Sequence, residues 1–286
     1  MTRVELEIFS RFVNVFFGQL KILADWSRVI ITGVRTAFQL AAGTLLASAV
    51  AFGQTGAPAK GNATVWVRPG YYKQLKPDRL KPTITQILKQ DVDNPPSTEA
   101  VMFVGSSTIA DWDVRHYFPQ YRTVKRGISD SLISEMTRYA DQLIVPFKPS
   151  TIVFYSGDND AAYGMPADSI AADFSAFVKK IHEALPKTEL VVLAIRPTVA
   201  RESVWETERA VNDKINEMAE KDKQIRFVDI ADLLAMPDSK PVREMLGPDL
   251  QHLNTDGYDL ISSAARVPVK QAENQYWRGF SPPKGQ

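Results

Sequence analysis

From Ala100 onward the chain alternates between short apolar runs and longer stretches of helical period, and few folds accept that pattern. The runs lie at 101–104, 151–155, 190–195 and 225–228, with a weaker one at 123–125. Helical periods fill 132–145, 167–185 and 204–221, and a last one covers 255–276 with Pro268 as a candidate interruption. Brief strands separated by helices long enough to cross back imply βαβ units and a parallel sheet buried on both faces. The expected fold class is α/β, a three-layer α/β/α sandwich on roughly five strands. Ligand sites of such sheets form at the carboxyl ends of the strands. The chain has 286 residues, 44% hydrophobic and 23% charged, which suits one domain of roughly 190–230 residues plus further segments.

Charge and cysteine content remove several function classes. A formal net charge of +1 and no basic run give no nucleic-acid footprint. No cysteine is present, which excludes disulfides, thiolate metal sites, a cysteine nucleophile and a lipoprotein acylation site. With only three histidines, scattered, a His-rich zinc site is not expected, and no cofactor is expected either.

The first 53 residues differ from the rest. They carry a net charge of +2, and from Val29 to Phe52 the one charge is Arg35. A basic flank, an apolar run over 37–51 and the ending Ala49-Val50-Ala51 read as a secretory signal peptide cleaved after Ala51 or Gly53. The span 29–52 is also long enough for an uncleaved membrane anchor. A start of translation near residue 33 would shorten the long leading region, and a buried core helix is the bland alternative. Either export reading places the main domain in the periplasm or outside the cell, anchored to the inner membrane if uncleaved. The expected division is a leader or anchor over 1–53, a linker and lead-in helix over 54–99, and the main domain over 100–286. The linker composition covers 54–70, and the lead-in helix lies near 80–90, ending before Asn94-Pro95-Pro96.

Four polar groups fall at strand ends or on an equivalent loop. Gly105-Ser106-Ser107-Thr108 follows the first strand, Gly127 the second and Gly157-Asp158-Asn159-Asp160 the third, while Asp249 and His252 precede the final helix. The spacing Asp-x-x-His lets a carboxylate on a tight turn hold imidazole Nδ1–H, freeing Nε2 to take a proton from a hydroxyl. Ser107 at a strand-to-helix turn can present that hydroxyl where a helix N-terminus favours negative charge. The Ser107 and Gly127 N–H groups and the Asn159 amide are candidate oxyanion donors.

These pieces in this order resemble the SGNH hydrolase superfamily, also called the GDSL-like lipase/acylhydrolase family, in its acetylhydrolase-like branch. The four blocks correspond to Ser107, Gly127, Asn159 and His252, and the resemblance spans roughly 100–276. It implies a flavodoxin-like α/β/α fold and ester hydrolysis through an acyl-serine without metal. Where the family usually has Gly-Asp-Ser-Leu this chain has Gly-Ser-Ser-Thr, which leaves Ser106 beside Ser107 as a second hydroxyl; alignment with the family favours Ser107. The second block has Lys125 before Arg126-Gly127 and Ser129-Asp130 after it, charges that would tune the pocket or face solvent.

Each residue also has a bland reading. Ser107 alone is a helix cap, Asn159 a turn residue and Gly127 a backbone requirement. Asp158 and Asp160 read as solvated loop carboxylates rather than a cation site. Arg196 and Arg201 lie at the cleft rim and read as surface groups before substrate ligands. His182 is expected to be solvated, His116 structural, and Trp112 and Trp205 packing residues. The expected function is an exported serine esterase for short acyl groups, acetyl above all, on a small molecule or glycan. Activity is expected to fall below roughly pH 6, as the base charges. The alternatives are a lipase or lysophospholipase, acyl transfer to a polysaccharide, and a catalytically dead envelope-anchored binding protein.

Overall fold

The computed structural model describes residues 66–236 and 240–278. The expected leader or anchor over 1–53, and the linker up to residue 65, lie outside the described residues. Five strands form one parallel sheet: β1 (Val101–Gly105), β2 (Thr123–Gly127), β3 (Thr151–Tyr155), β4 (Glu189–Leu193) and β5 (Ile225–Val228), in the order β2-β1-β3-β4-β5. The helices are α1 (Lys81–Asp93), α2 (Ser107–Asp111), α3 (Val114–Tyr117), α4 (Ile133–Leu143), α5 (Asp158–Ala162), α6 (Ala167–Ala184), α7 (Trp205–Lys221), α8 (Ile230–Leu233) and α9 (Thr255–Arg278). Each of the five expected strands and the five longer helices is present, and the α/β/α class holds.

β1, β3 and β4 are buried at every residue, as strands covered on both faces must be. Their period of two divides the core. Met102, Val104, Ile152, Phe154, Leu190 and Val192 face one layer, built from α4, α6 and α7. There α6 presents Ile170, Phe174, Phe177 and Ile181 at helical spacing, and Phe177 stacks on Phe154 at 4.4 Å between ring centres. Val101, Phe103, Val153, Tyr155, Val191 and Leu193 face the other layer, whose main helix is α9.

Pro268 does not interrupt α9, which runs unbroken through it. A mid-helix proline removes one backbone bond and costs ~3 kcal/mol. The buried stripe Ile261, Ala265, Val269 and Ala272 continues on both sides of it, so packing holds the helix together. Among the described residues no helix is long and apolar enough to cross a membrane.

The register explains where a site forms. Gly105 on β1 stands opposite Gly127 on β2 and Tyr155 on β3. The chain order reverses direction between β1 and β3, and such a switch point opens a crevice at the carboxyl ends. Ser107 lies two residues beyond Gly105, and Asn159 four beyond Tyr155.

Candidate active site

Two glycines let the loop that carries Ser107 approach its neighbours. Gly105 has φ +149°, and a Cβ there would lie 1.8 Å from the Tyr155 carbonyl oxygen. A Cβ on Gly127 would lie 2.1 Å from the Ala110 nitrogen, in the backbone of α2 itself. Both positions demand glycine because another backbone occupies the side-chain space. Lys125 does not enter the cleft. Its Nζ donates to the carbonyls of Ala110 at 2.6 Å and Trp112 at 3.2 Å, capping the end of α2. Asp130 is likewise turned aside: Arg79 Nη1 donates to it at 2.8 Å and the Tyr163 hydroxyl also donates to it.

Ser107 is the first residue of α2, so its N–H has no partner one turn back. Its Oγ lies 3.0 Å from His252 Nε2. His252 Nδ1 lies 2.7 Å from Asp249 Oδ2. The other carboxylate oxygen, Oδ1, accepts from the backbone N–H groups of Gln251 and His252, each at 3.0 Å. Leu250, next after Asp249, adopts φ +59°, the left-handed turn that brings His252 back over Asp249. Burial pushes the Asp249 carboxyl up, but the His252 side chain and the two backbone N–H bonds outweigh it and hold the group below the usual carboxylate range. The carboxylate therefore stays ionised further into acid than a free aspartate does.

Ser106 is a different kind of residue. It is fully buried, and its hydroxyl donates to Asp158 Oδ1 at 3.1 Å. No geometry links it to His252, so the two serines separate cleanly by their partners.

Asn159 donates through Nδ2 to the Ser131 carbonyl at 3.0 Å, and its Oδ1 accepts from Arg201 Nη2 at 2.8 Å. Arg201 Nη1 also donates to Asp158 Oδ2 at 3.0 Å. These bonds correct two sequence expectations. Asp158 and Asp160 are not solvated loop carboxylates but are 2% and 0% exposed. Arg196 and Arg201 are not surface groups but are 1% and 5% exposed. The reason is topological: the loop after β4 lies against the turn that carries Asn159 and against the histidine loop. Each of the four side chains finds at least one hydrogen-bond partner, although Arg196 Nε and Nη1 and Asp160 Oδ2 have none. Asp160 Oδ1 accepts from the Ile133 N–H at 3.2 Å, at the start of α4. Burial pushes the carboxyls of Asp160 and Glu208 well above the usual range.

The loop after β4 also anchors the histidine turn. Arg196 Nη2 donates to the Gln251 carbonyl at 2.9 Å, and the Ala200 N–H donates to the Leu250 carbonyl at 3.1 Å. Trp66 packs edge-on against the His252 ring, 5.6 Å between centres, and lies under the Arg201 guanidinium at 6.0 Å. The stretch 66–70, read from composition as linker, is thus held against the domain. Its Arg68 N–H donates to the Ala162 carbonyl at 2.7 Å, and Tyr71 packs edge-on to Tyr163 at 4.9 Å. Only Trp66 in this stretch, and Tyr71 just after it, could have signalled that contact.

The remaining expectations resolve simply. Trp112 is buried, its indole N–H donating to Ser262 Oγ at 2.9 Å. Trp205 is half-buried and packs against the α9-side core. His116 is exposed, with its ring edge-on to Tyr117. His182 is half-buried beside Asp222 at 3.4 Å, rather than solvated. A cavity of about 540 Å³ borders Thr123–Arg126 and Asn94–Ser97 on the β2 edge, and Ser107 and His252 are not among its lining residues.

A five-stranded parallel α/β/α sandwich with Ser, His, Asp and Asn at its carboxyl edge defines the class, a flavodoxin-like three-layer hydrolase fold. The chain belongs to the GDSL-like lipase/acylhydrolase family, whose profile it matches over residues 104–260. Solved structures share the fold at low identity. A Streptococcus pneumoniae protein described as a candidate platelet activating factor superposes with TM-score 0.60 at 20% identity, covering 67% of this chain and 93% of its own. A GDSL-like lipase of Bacteroides thetaiotaomicron gives 0.59 at 16% identity, covering 66% and 98%. A carbohydrate esterase of family 3 from Talaromyces cellulolyticus gives 0.52 at 19% identity, covering 61% and 97%. No curated protein matches the sequence.

Proposed function

We propose that this acylhydrolase is an exported serine esterase that removes short acyl groups, acetyl above all, from a small molecule or a glycan. The observation that carries the reading is the continuous relay from Asp249 through His252 to Ser107, with contacts of 2.7 Å and 3.0 Å. The Ser107 oxygen attacks the ester carbonyl carbon while its proton passes to His252 Nε2. The carbonyl oxygen becomes an oxyanion, held by the Ser107 N–H, Gly127 and the Asn159 amide. Collapse breaks the bond to the alcohol oxygen, which leaves with the proton from His252. Water then attacks the acyl-serine by the same route, releasing the acid and restoring Ser107.

Two features support a short acyl group. Ser107 is only 9% exposed, and Trp66 closes one side of His252. An esterase of carbohydrates and an acetyl esterase have the same fold, as solved structures with TM-scores of 0.52 and 0.51. A series of p-nitrophenyl esters from acetate to laurate tests the reading. The expected kcat/KM is highest for acetate and falls by at least about tenfold by octanoate. A maximum at eight carbons or more would replace this reading with a lipase. Export rests on the basic-then-apolar pattern of the first 53 residues. Mass spectrometry of the native N-terminus is expected to find a new end after Ala51 or Gly53, or the intact apolar segment in the membrane fraction; an intact chain in the cytosol would overturn it.

A further inference from the structure

Arg201 stands at the centre of a buried network that the hydrolytic relay does not use. Its guanidinium is 6% exposed in the side chain, and the carboxylate it faces, Asp158, is 3% exposed. One arm, Nη1, donates to Asp158 Oδ2 at 3.0 Å, and the other, Nη2, donates to Asn159 Oδ1 at 2.8 Å. With the Gln251 amide turned so that both its ends are satisfied, its oxygen accepts from Arg201 Nε and Nη1 at 3.2 Å, and its nitrogen donates to Thr198. Gln251 is the residue between the turn at Leu250 and His252. A single side chain on the loop after β4 therefore touches both the loop of the third strand and the loop of the histidine.

We infer that Arg201 is a positioning residue that makes Asn159 an effective oxyanion donor, an inference that rests on the hydrolytic reading above. The argument starts from the two ends of an amide. Oxygen can only accept and nitrogen can only donate. A guanidinium on Oδ1 and a carbonyl on Nδ2 leave one orientation for Asn159, so its amide nitrogen faces the Ser131 side of the site and its oxygen faces away. The positive arm also draws electron density toward Oδ1. The Nδ2–H bonds become stronger donors, as in any cooperative hydrogen-bond chain. That gain matters most when negative charge appears at the reacting carbonyl, so it belongs to the transition state more than to bound substrate. Asp158 balances the Arg201 charge, and Ser106 holds Asp158 in turn, which gives the first serine of the Ser-Ser pair a definite place behind Ser107.

The test is a two-residue cycle in the full-length protein with p-nitrophenyl acetate, using fluorophosphonate labelling to count active sites. Arg201→Met is expected to lower kcat by about 10–100-fold with KM within about threefold. In an Asn159→Ala background, which itself loses about 100–1000-fold, adding Arg201→Met is expected to lower kcat by less than about threefold further. Arg201→Lys carries the test if the Met variant does not fold. Lysine keeps a charge beside Asp158 but has no second planar arm for Asn159. It is expected to restore thermal stability while kcat stays low. Recovery of kcat together with stability would mark a purely structural role and overturn the inference. So would undiminished multiplication of the Arg201 and Asn159 effects. If the wild-type protein shows no Ser107-dependent hydrolysis, the functional reading fails and takes this one with it. If hydrolysis depends on Ser107 and Asn159 but not on Arg201, this inference alone fails.

Discussion

Ser107→Ala is expected to lower kcat/KM for p-nitrophenyl acetate by at least about 1000-fold while the protein stays folded. The fold should tolerate the change because alanine is the best helix former and Ser107 opens α2. The lost Oγ–His252 bond is one partly exposed contact, about 1 kcal/mol in stability. Ser106→Ala is expected to do the reverse. It removes a buried bond to Asp158, a loss of about 1–3 kcal/mol, and leaves activity within about tenfold. Initial rates and thermal unfolding of the two variants decide the matter together. An active Ser107→Ala enzyme alongside a dead but folded Ser106→Ala enzyme would move the nucleophile one residue back.

The second large effect is expected from Asp249→Asn, a loss in kcat on the order of 1000-fold at neutral pH with little change in Tm. The turn itself should survive. An asparagine oxygen can still accept the backbone N–H groups of Gln251 and His252, now both bound to Asp249 Oδ1. The amide nitrogen then stands where Oδ2 met His252 Nδ1. A donor at that place makes Nδ1 the acceptor and leaves the proton on Nε2, the tautomer that cannot accept one from Ser107. In the unmodified protein the pH profile follows the same logic. Asp249, held below the usual carboxylate range, is still ionised in mild acid. The acid limb of kcat/KM is therefore expected to report the imidazole, falling about tenfold per pH unit once it is charged. The lowered carboxyl also adds stability that is present above its unfolded value and lost as pH falls through the folded one, a small effect for a group this exposed. Profiles from pH 5 to 9 check both points, and a flat acid side would remove His252 as the base.

How much of this was legible in the sequence depended on the range of the interaction. Strands such as Thr151–Tyr155, and helices such as Ala167–Ala184, declare themselves by periods of two and 3.6 because their burial repeats along the chain. The Asp-x-x-His pair is legible because its contact closes within four residues. Lys125 and Asp130 were ambiguous because a charge beside a pocket can turn either way. Here the carbonyl end of α2 and the side chain of Arg79 decided the direction. Arg201 was misread for a similar reason. Arginine is exposed in most settings, and its partners are 42 and 43 residues away.

The sequence by itself determined the layered sheet, the order of the four polar blocks and their placement at strand ends. Periodicity and glycine punctuation are local properties, so they survive without coordinates. The pairing of Ser107 with His252 across 145 residues was expected from the family resemblance, and tertiary structure alone decided that Ser106 turns away to Asp158. It also decided that Trp66, from a stretch that reads as linker, flanks the imidazole, and that Arg201 is buried behind Asn159. Those outcomes depend on which loops the sheet order brings to one edge, and no short window of sequence contains that information.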